Sequence, residues 1–336
     1  MATHCVLGVT GAIGFWCARL LLDRGERVVA LTRDPDRARE RFSASDLERL
    51  EIIQGDALDG KAIRRCATDA ATLIHAVNVP LSLWEDPEQG RAALLGASID
   101  VAADTGARIV FPANVWVYGH TFVPLLFEGH PFAADTAKGR AAVKLESMLA
   151  EARRERGVSY TIVRLPDVYG PFVASALYRS VFQNALTGST LTWYGSLDTP
   201  LELVYVADAA RALLQVGLDP QSIGRAFNLP GPEETTARKW LTLLAEMAGT
   251  RAHARAIPSP IIAIAGWFNH EAHEMHDLLY LKTRRLILEG RRYADHFGSY
   301  PATPYDIGMR ETLDWYRAGC PAIRPQGELA GSASSV

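Results

Sequence analysis

A glycine-containing stretch near the start of the chain has the composition of a phosphate-binding loop. Gly11 and Gly14 stand in TGAIGFWC, between the apolar run CVLGV and a helical pattern that begins at Ile13. A helix N-terminus offers free N–H groups and the positive end of a dipole, and glycines let the backbone approach a pyrophosphate. The pattern also fits a plain strand–helix turn, but its place in the chain favours a dinucleotide held by this loop and by Phe15 and Trp16.

The end of the second apolar run, RVVALT, is where a dinucleotide-binding protein distinguishes NAD from NADP. An acid there binds the ribose 2′-hydroxyl of NAD, whereas an arginine pairs with the 2′-phosphate of NADP. Arg33 follows the run and favours NADP (NADPH) over NAD, although the adjacent Asp34 would serve NAD. Arg39 and Arg41 are expected to lie on a solvated helix face. The other predicted cofactor contacts follow later strands and are Asp56, Ala57, Ala76, Val77, Pro166 and Val168.

The elements that must position these residues alternate between strands and helices. The predicted strands are CVLGV, RVVALT, LEII, ATLIHAV, RIVFPA and SYTIVRL, and the predicted helices are 13–25, 35–50, 58–67, 87–105 and 136–156. This alternation predicts an α/β fold with a doubly wound, Rossmann-like parallel sheet covered on both faces. Further helices are predicted, at irregular spacing, over 173–187, 207–218, 235–249 and 259–285.

The change of rhythm near Gly170 suggests three parts. We predict a dinucleotide-binding domain over 1–170 and, over 171–324, mainly a smaller C-terminal substrate-binding lobe with returns to the sheet. The small, polar residues 325–336 are predicted to be a disordered tail.

Composition excludes several classes of function. The 336 residues carry a formal net charge of −3 with both signs interspersed, which argues against a nucleic-acid-binding face. The longest apolar run, IIAIAGWF, is too short to span a bilayer. Four scattered cysteines indicate a reducing compartment, so we expect a cytoplasmic protein with a small-molecule substrate and neither nucleic-acid nor membrane partners.

The order of several motifs resembles the extended short-chain dehydrogenase/reductases, the NAD-dependent epimerase/dehydratase group. The stretches that carry the resemblance are TGAIGFW, GDALD, HAVNVP, VYG, RLPDVYGP and VYVADAARAL, in the family's order over residues 4–220. The resemblance implies the fold and a nicotinamide cofactor, but not the reaction, because the family includes epimerases, dehydratases, reductases and non-catalytic members. It also implies a homodimer through helices 87–105 and 136–156, with an apolar stripe over 141–149.

The family's active residues are altered in this chain. Its serine or threonine falls on Asn114, which can hydrogen-bond a substrate carbonyl but cannot act as an acid. Its Tyr-x-x-x-Lys pair falls on Lys138 and Ala142, and no tyrosine of the sequence has a lysine four residues later. The resemblance thus implies a non-standard catalytic set: Lys138, which could give a proton or bind the cofactor ribose, together with Asn114, Tyr118 and Asp167. An acid in an apolar cleft is expected to have a raised pKa, which would suit Asp167.

The expected substrate is a flat or apolar organic molecule. Nucleotide-sugar enzymes of the family usually carry a diphosphate-binding arginine where this chain has Leu201, which cannot bind phosphate. Ligands lie beyond the carboxyl ends of parallel strands, and the residues predicted there are aromatic or weakly polar. They are Asn78, Trp84, Trp116, Tyr169, Tyr178, Trp193 and Tyr205. Trp193 and Tyr205 could instead be ordinary core residues.

We expect no metal site, because His270, His273 and His276 would drift around a helix rather than converge. Three functions then fit the sequence. The favoured one is an NADPH-dependent reductase of carbonyl, enone or imine groups. The others are a redox-neutral isomerase or lyase and a non-catalytic NADP-binding regulator.

Overall fold

The structure is a computed structural model that describes residues 1–77, 87–121, 123, 125–266, 276 and 278–320. The strands are β1 (Thr3–Leu7), β2 (Arg27–Thr32), β3 (Leu50–Gln54), β4 (Ala70–His75), β5 (Arg108–Asn114), β6 (Tyr160–Leu165), β7 (Asp167–Tyr169), β8 (Leu191–Tyr194), β9 (Pro200–Leu201), β10 (Leu203–Tyr205), β11 (Ala226–Asn228), β12 (Thr235–Thr236) and β13 (Ala254–Ile257).

The helices are α1 (Ala12–Asp23), α2 (Pro35–Arg39), α3 (Ala44–Leu47), α4 (Gly60–Ala67), α5 (Pro87–Thr105), α6 (Ala137–Arg156), α7 (Ala176–Thr187), α8 (Val206–Leu218), α9 (Ala237–Ala248), α10 (Ser259–Gly266), α11 (Tyr280–Thr283), α12 (Arg291–Phe297) and α13 (Tyr305–Arg317). Short 3₁₀ helices cover Val115–Tyr118 and Pro220–Ser222. None of the described helices is both long and apolar enough to cross a membrane.

Seven strands of the described chain form a parallel sheet in the order β11-β6-β5-β4-β1-β2-β3. The order reverses between β1 and β4, as in a doubly wound fold. Helices α1 and α8 pack on one face, and α4, α5 and α6 pack on the other. Strands covered on both faces need continuous apolar runs, and β6 is buried at all six positions. The predicted fold class is confirmed.

The second half forms a lobe beside the carboxyl end of the sheet. Three further strand pairs build it: β7 with β10, β8 with β13 and β9 with β12. The lobe shares one apolar cluster with the α1 face of the sheet, which runs from Val6 through Trp193 and Trp240 to Trp315. The domain boundary at residue 170 therefore stays a prediction.

Several element boundaries differ from those predicted. The segment 35–50 holds two short helices, because α2 ends at Arg39 and a new helix, α3, begins after Ser43, which caps its start. The helix predicted from residue 173 begins only after Ser175, which caps α7 in the same way. The region 259–285 is helical at α10 and α11, and residues 267–275 and 277 lie outside the described residues. Strand β7 was not predicted.

The apolar stripe predicted for a dimer interface faces the protein's own interior. Ala141, Ala142, Leu145 and Leu149 are buried in α6, and Leu145 and Leu149 pack in the cluster that α6 shares with α5 and the sheet. The exposed faces of α5 and α6 instead carry charged pairs, such as Lys144 with Glu88. The stripe therefore explains the packing of α6 and gives no support to a homodimer.

A buried ion pair fixes α6 to the sheet. The guanidinium of Arg164, on β6, donates to both carboxylate oxygens of Glu146 on α6, at 2.9 and 2.6 Å. Both side chains are almost wholly buried, with exposed fractions of 4% and 6%. Arg164 also donates to the Tyr118 hydroxyl at 2.8 Å and to the Glu128 carbonyl at 3.1 Å. The paired charges thus join three segments around the end of β6.

Glu146→Gln should lower the free energy of unfolding by about 3–5 kcal/mol, because it leaves the buried charge of Arg164 without its counter-ion. Urea denaturation at pH 7 measures the change. Glu151→Gln is the matched control on the same helix, because Glu151 forms an exposed ion pair, with 3.6 Å between its Oε1 and the Nη2 of Arg154. The control should change stability by no more than about 0.5 kcal/mol. Equal effects of the two substitutions would contradict the stabilising role of the ion pair.

Candidate active site

The loop between β1 and α1 has the backbone of an anion-binding turn. Gly8 has a φ of +86°, and its carbonyl accepts the Gly11 N–H at 2.9 Å. A Cβ on Gly14 would lie 2.3 Å from the Gly8 oxygen, so only glycine permits this approach of α1 to β1. Among the described residues no side chain caps the start of α1. Its first N–H groups therefore remain available for a pyrophosphate, and the residues present fit a dinucleotide.

A cleft of about 410 Å³ opens beside this loop. It lies between the start of α1 and the segment that joins β6 to β7, and it continues past the end of β5 toward α5 and α6. The predicted site residues that line it are Gly11, Ile13, Ala76, Val77, Asn114, Trp116, Pro166 and Val168. These residues come from distant parts of the sequence, and the carboxyl ends of the strands bring them together as expected.

The cleft is bounded on one side by helix α6. Ala142 lines the cleft together with Leu145 of the same helix and with Leu94 and Phe111. The alanine side chain fills little of the cleft. The wall on the α6 side is apolar, because Ala142 and Leu145 are both apolar residues. His75 also lines it, but burial lowers the pKa of its imidazole to about 4 and its Nδ1 lies 2.9 Å from the Ser98 hydroxyl. His75 is therefore neutral at pH 7.

Asn114 and Trp116 form the polar edge of the cleft at the end of β5. The Asn114 Oδ1 accepts the Trp116 N–H at 3.0 Å, and no hydrogen bond from another described residue involves the Asn114 Nδ2. That amide N–H can donate to a substrate oxygen. Two cations approach the Trp116 ring: the Arg91 guanidinium carbon at 5.3 Å and the Lys138 Nζ at 6.0 Å from its centroid. Half-buried Lys138 thus lies beside a residue that lines the cleft.

Tyr118 does not reach the cleft, which corrects its prediction as a proton donor. Its side chain is fully buried, its hydroxyl donates to the Asn228 Oδ1 at 2.9 Å, and it accepts from Arg164. Burial raises the pKa of Tyr118 above its usual value, and the Arg164 charge opposes that rise only in part. A phenol that is enclosed and already donating has no proton to offer a substrate.

Asp167 is held by a lysine that the sequence did not point to. Lys282 of α11 forms an ion pair with the Asp167 Oδ2, and the Tyr178 hydroxyl donates to the same oxygen at 3.0 Å. Burial alone would raise the pKa of Asp167, but the charge and hydrogen bond of Lys282, with the Tyr178 hydrogen bond, lower it overall. The expected rise is therefore wrong. Asp167 is an anion at neutral pH and a poor proton donor.

Most of the predicted aromatic residues of the lobe belong to its core. Tyr169 and Trp193 are fully buried, and Tyr205 is 3% exposed, with its hydroxyl donating to Glu311 at 2.5 Å. Their assignment as substrate contacts is corrected, because their rings pack against one another and Trp240. Tyr178 is also buried. Asn78 and Trp84 lie outside the described residues, as do His270 and His273.

The remaining cofactor candidates lie around the ends of β2 and β3. Phe15 and Trp16 are buried side chains of α1, so only their backbone can face a ligand. Asp56 is half-buried and accepts the Leu58 N–H at 2.9 Å, and Ala57 is buried beside it. Arg33 and Asp34 are both exposed after β2. The Asp34 carboxylate accepts the Arg37 N–H at 3.0 Å and thereby caps α2.

A glycine-rich turn at the start of the first helix, a doubly wound sheet and a cleft at the carboxyl ends of its strands define a dinucleotide-binding protein. The sequence profile of the NAD dependent epimerase/dehydratase family matches residues 4–247. The chain belongs to this family and is an enzyme of the extended short-chain dehydrogenase/reductase type. The predicted family and enzyme class are confirmed, and nicotinamide dinucleotide is the cofactor of the family.

Similar curated proteins include reductases and dehydratases. Cinnamoyl-CoA reductase 1 of Petunia hybrida is 28% identical over 66% of this chain and 70% of its own length. The dTDP-glucose 4,6-dehydratase of Salmonella typhimurium is 23% identical over 58% of this chain, and the match spans 51% of that protein. The two names describe different reactions, so the relatives leave the chemistry of this chain open.

Solved structures with the same fold include two sugar-nucleotide enzymes. The dTDP-glucose 4,6-dehydratase of Streptomyces venezuelae, solved with NAD bound, has a TM-score of 0.77 at 20% identity and covers 94% of this chain and 97% of its own. UDP-glucose 4-epimerase from Thermotoga maritima has a TM-score of 0.76 at 18% identity, with 94% and 99% covered. At these identities the likeness extends to the fold alone.

Lys282→Met should reverse the pH dependence that Asp167 gives to stability. The pKa of Asp167 is lower in the folded protein than in the unfolded chain. Its ionised form therefore stabilises the fold at pH values above the unfolded pKa, and this stabilisation is lost as pH falls through the folded pKa. Without Lys282 burial dominates and raises the pKa, so stability should fall as pH rises. Urea unfolding at pH 5 and pH 7 measures the effect. Compared with the unmutated protein, Lys282→Met should lose more of its free energy of unfolding at pH 7 than at pH 5.

Lys239→Met is the control for this comparison. Lys239 is exposed on α9 and forms no ion pair with a described residue. Lys239→Met should leave the difference in stability between pH 5 and pH 7 unchanged. A Lys282→Met protein with the pH dependence of the control would show that Lys282 does not set the pKa of Asp167.

Proposed function

We propose that the protein is an NADPH-dependent oxidoreductase that reduces a small aromatic or apolar organic substrate at a carbonyl, enone or imine group. The observation that carries the proposal is the cleft beside the β1–α1 loop, which is open and apolar on the side lined by Ala142. A flat apolar group fits such a wall better than a sugar does. The reductase named among the relatives acts, by its name, on a cinnamoyl compound, which supports an aromatic substrate.

The preference for NADPH rests on the end of β2. The Asp34 carboxylate already accepts the Arg37 N–H in capping α2, which makes it less available to bind a ribose hydroxyl. Arg33 is exposed directly after the strand. A guanidinium is the usual partner of a 2′-phosphate. The glycine loop would hold the pyrophosphate, Ala76 and Val77 would flank the cofactor, and Pro166 and Val168 would form the opposite wall.

Arg33→Ala should remove most of the preference for NADPH over NADH. A charge-assisted hydrogen bond contributes about 1.5–3 kcal/mol, or roughly 10- to 150-fold in affinity. Titrations of both cofactors by protein fluorescence measure the ratio of dissociation constants. Arg39→Ala is the control, because Arg39 is exposed on α2 and pairs with Asp36 at 2.7 Å. Equal affinities of the unmutated protein for the two cofactors would contradict the proposal.

The reaction needs a proton donor, and the described contacts favour Lys138. Tyr118 is enclosed and Asp167 is ionised, so neither supplies a proton readily. Lys138 lies in the first turn of α6, beside Trp116 at the polar edge of the cleft. The cofactor would supply a hydride to the substrate carbon. Asn114 would hold the substrate oxygen or nitrogen through its Nδ2, and Lys138 would give the proton that this atom gains.

Lys138→Met should reduce turnover by about 10²- to 10⁴-fold if Lys138 is the general acid, with NADPH affinity unchanged. Steady-state rates and cofactor titrations are measured separately. Loss of affinity instead would assign Lys138 to the cofactor ribose. Lys144→Met, on an exposed position of the same helix, is the control. If Lys138→Met behaves like Lys144→Met in both measurements, the lysine has no part in the reaction.

The function itself is tested by following NADPH absorbance with aromatic aldehydes, ketones, enones and imines. Substrate-dependent oxidation of NADPH supports the proposed reductase. Conversion of a substrate without net change in NADPH would instead assign a redox-neutral isomerase or lyase, which the loss of the tyrosine and lysine pair also permits. A homodimer and a cytoplasmic location remain proposals that go with this function.

A further inference from the structure

A second cavity of about 340 Å³ lies behind the cofactor cleft. It is bounded by α2, by α7 and by the end of α13, and the residues 172–174 separate it from the cleft because they line both. Phe172, Trp315 and Tyr316 give it an aromatic wall. The proposed reductase assigns this cavity no role.

The side chains that line the cavity carry a net positive charge. Arg37, Arg41 and Arg179 line it, and none of the three forms an ion pair with a described residue. Among the described residues that line the cavity, Glu40 is the one acidic side chain. It forms no ion pair with a described residue. Three cations against one anion leave a net charge of about two to be balanced, which matches a phosphate monoester at neutral pH.

Because Arg41 is buried, its charge is costly to leave without a bound anion. The sequence suggested a solvated arginine, but Arg41 is only 8% exposed, and its Nη1 has no hydrogen-bond partner in the described chain. Its guanidinium carbon lies 4.2 Å from the centroid of the Phe172 ring. Burial and the nearby Arg37 lower the pKa of Arg41 to about 10. The Nη1 itself is closed to solvent, so Arg41 lines the cavity through the rest of its side chain, and an anion bound there would balance its buried charge.

Aromatic rings pack in the wall between the two cavities. Phe172 has a φ of +66°, a left-handed conformation that a bulky residue adopts only under constraint. Its ring is held between Phe15, at 4.6 Å, and Trp315, at 5.2 Å between centroids. The ligand of the second cavity would therefore meet the far side of this ring, while a dinucleotide on the glycine loop stays on the other side.

We propose that this cavity is a binding site, separate from the cofactor cleft, for a phosphate monoester with a small aromatic or apolar body. Arg41 and Arg179 would bind the phosphate, since guanidinium groups match its oxygens in charge and geometry. Phe172, Trp315 and Tyr316 would pack against the body of the ligand.

Phenyl phosphate is the probe, and isothermal titration calorimetry measures its binding with and without saturating NADP⁺ or NAD⁺. The expected result is binding in both conditions. Arg179→Gln should weaken it roughly tenfold or more, because one charge-assisted pair is lost and the exposed position does not endanger folding. Arg251→Gln, an exposed arginine outside the cavity with no ion pair to a described residue, should have no effect.

Four outcomes would overturn the proposal. The first is the absence of phenyl phosphate binding, and the second is binding that Arg179→Gln leaves unchanged. The third is binding that either dinucleotide abolishes, because the arginines would then belong to the cofactor site. Phenol serves as the probe without phosphate, and binding of phenol as strong as that of phenyl phosphate would equally remove the case for an anion site.

Discussion

The cleft depends on the buried ion pair between Arg164 and Glu146. Its two walls come from β6, which leads into Pro166 and Val168, and from α6, whose first turns carry Lys138 and Ala142. One bidentate pair joins these two elements, in surroundings where an unpaired charge would cost several kcal/mol. The same guanidinium holds the Tyr118 hydroxyl, so an aromatic residue close to the active site serves the architecture rather than the chemistry.

The side chains that line the cleft on the α6 side give it an apolar wall, because Ala142 and Leu145 are the α6 residues that face it. Two cations near the cleft, Arg91 and Lys138, lie around Trp116 at its edge. These positive charges thus lie at the polar edge of the cleft rather than on its α6 wall. The interior that results is apolar, with a neutral His75, and favours substrates that bury hydrocarbon while a single polar group stays near Asn114.

Local patterns predicted the framework, and long-range contacts decided the rest. Apolar runs of strand length and the glycines at 11 and 14 were sufficient to place the sheet and the phosphate loop, because both depend on residues that are neighbours in sequence. The partnership of Asp167 with Lys282 joins positions 115 residues apart, and no motif announces it. Aromatic residues such as Trp193 look the same in a core and in a pocket, so only the packing of the lobe could assign them. Arg41 had the sequence context of a surface residue but packs over Phe172.

Phe172 links the two cavities physically. Its ring contacts Phe15, in the first turn of the helix that begins at the glycine loop, and its opposite surroundings are Arg41 and Trp315. A residue in a left-handed conformation keeps that geometry only while its neighbours hold it, since relaxation of the backbone would be favourable by itself. Packing around this ring therefore positions residues 172–174 over the cofactor cleft. Arg41 lies over the same ring, so the second cavity and the start of α1 share this aromatic contact.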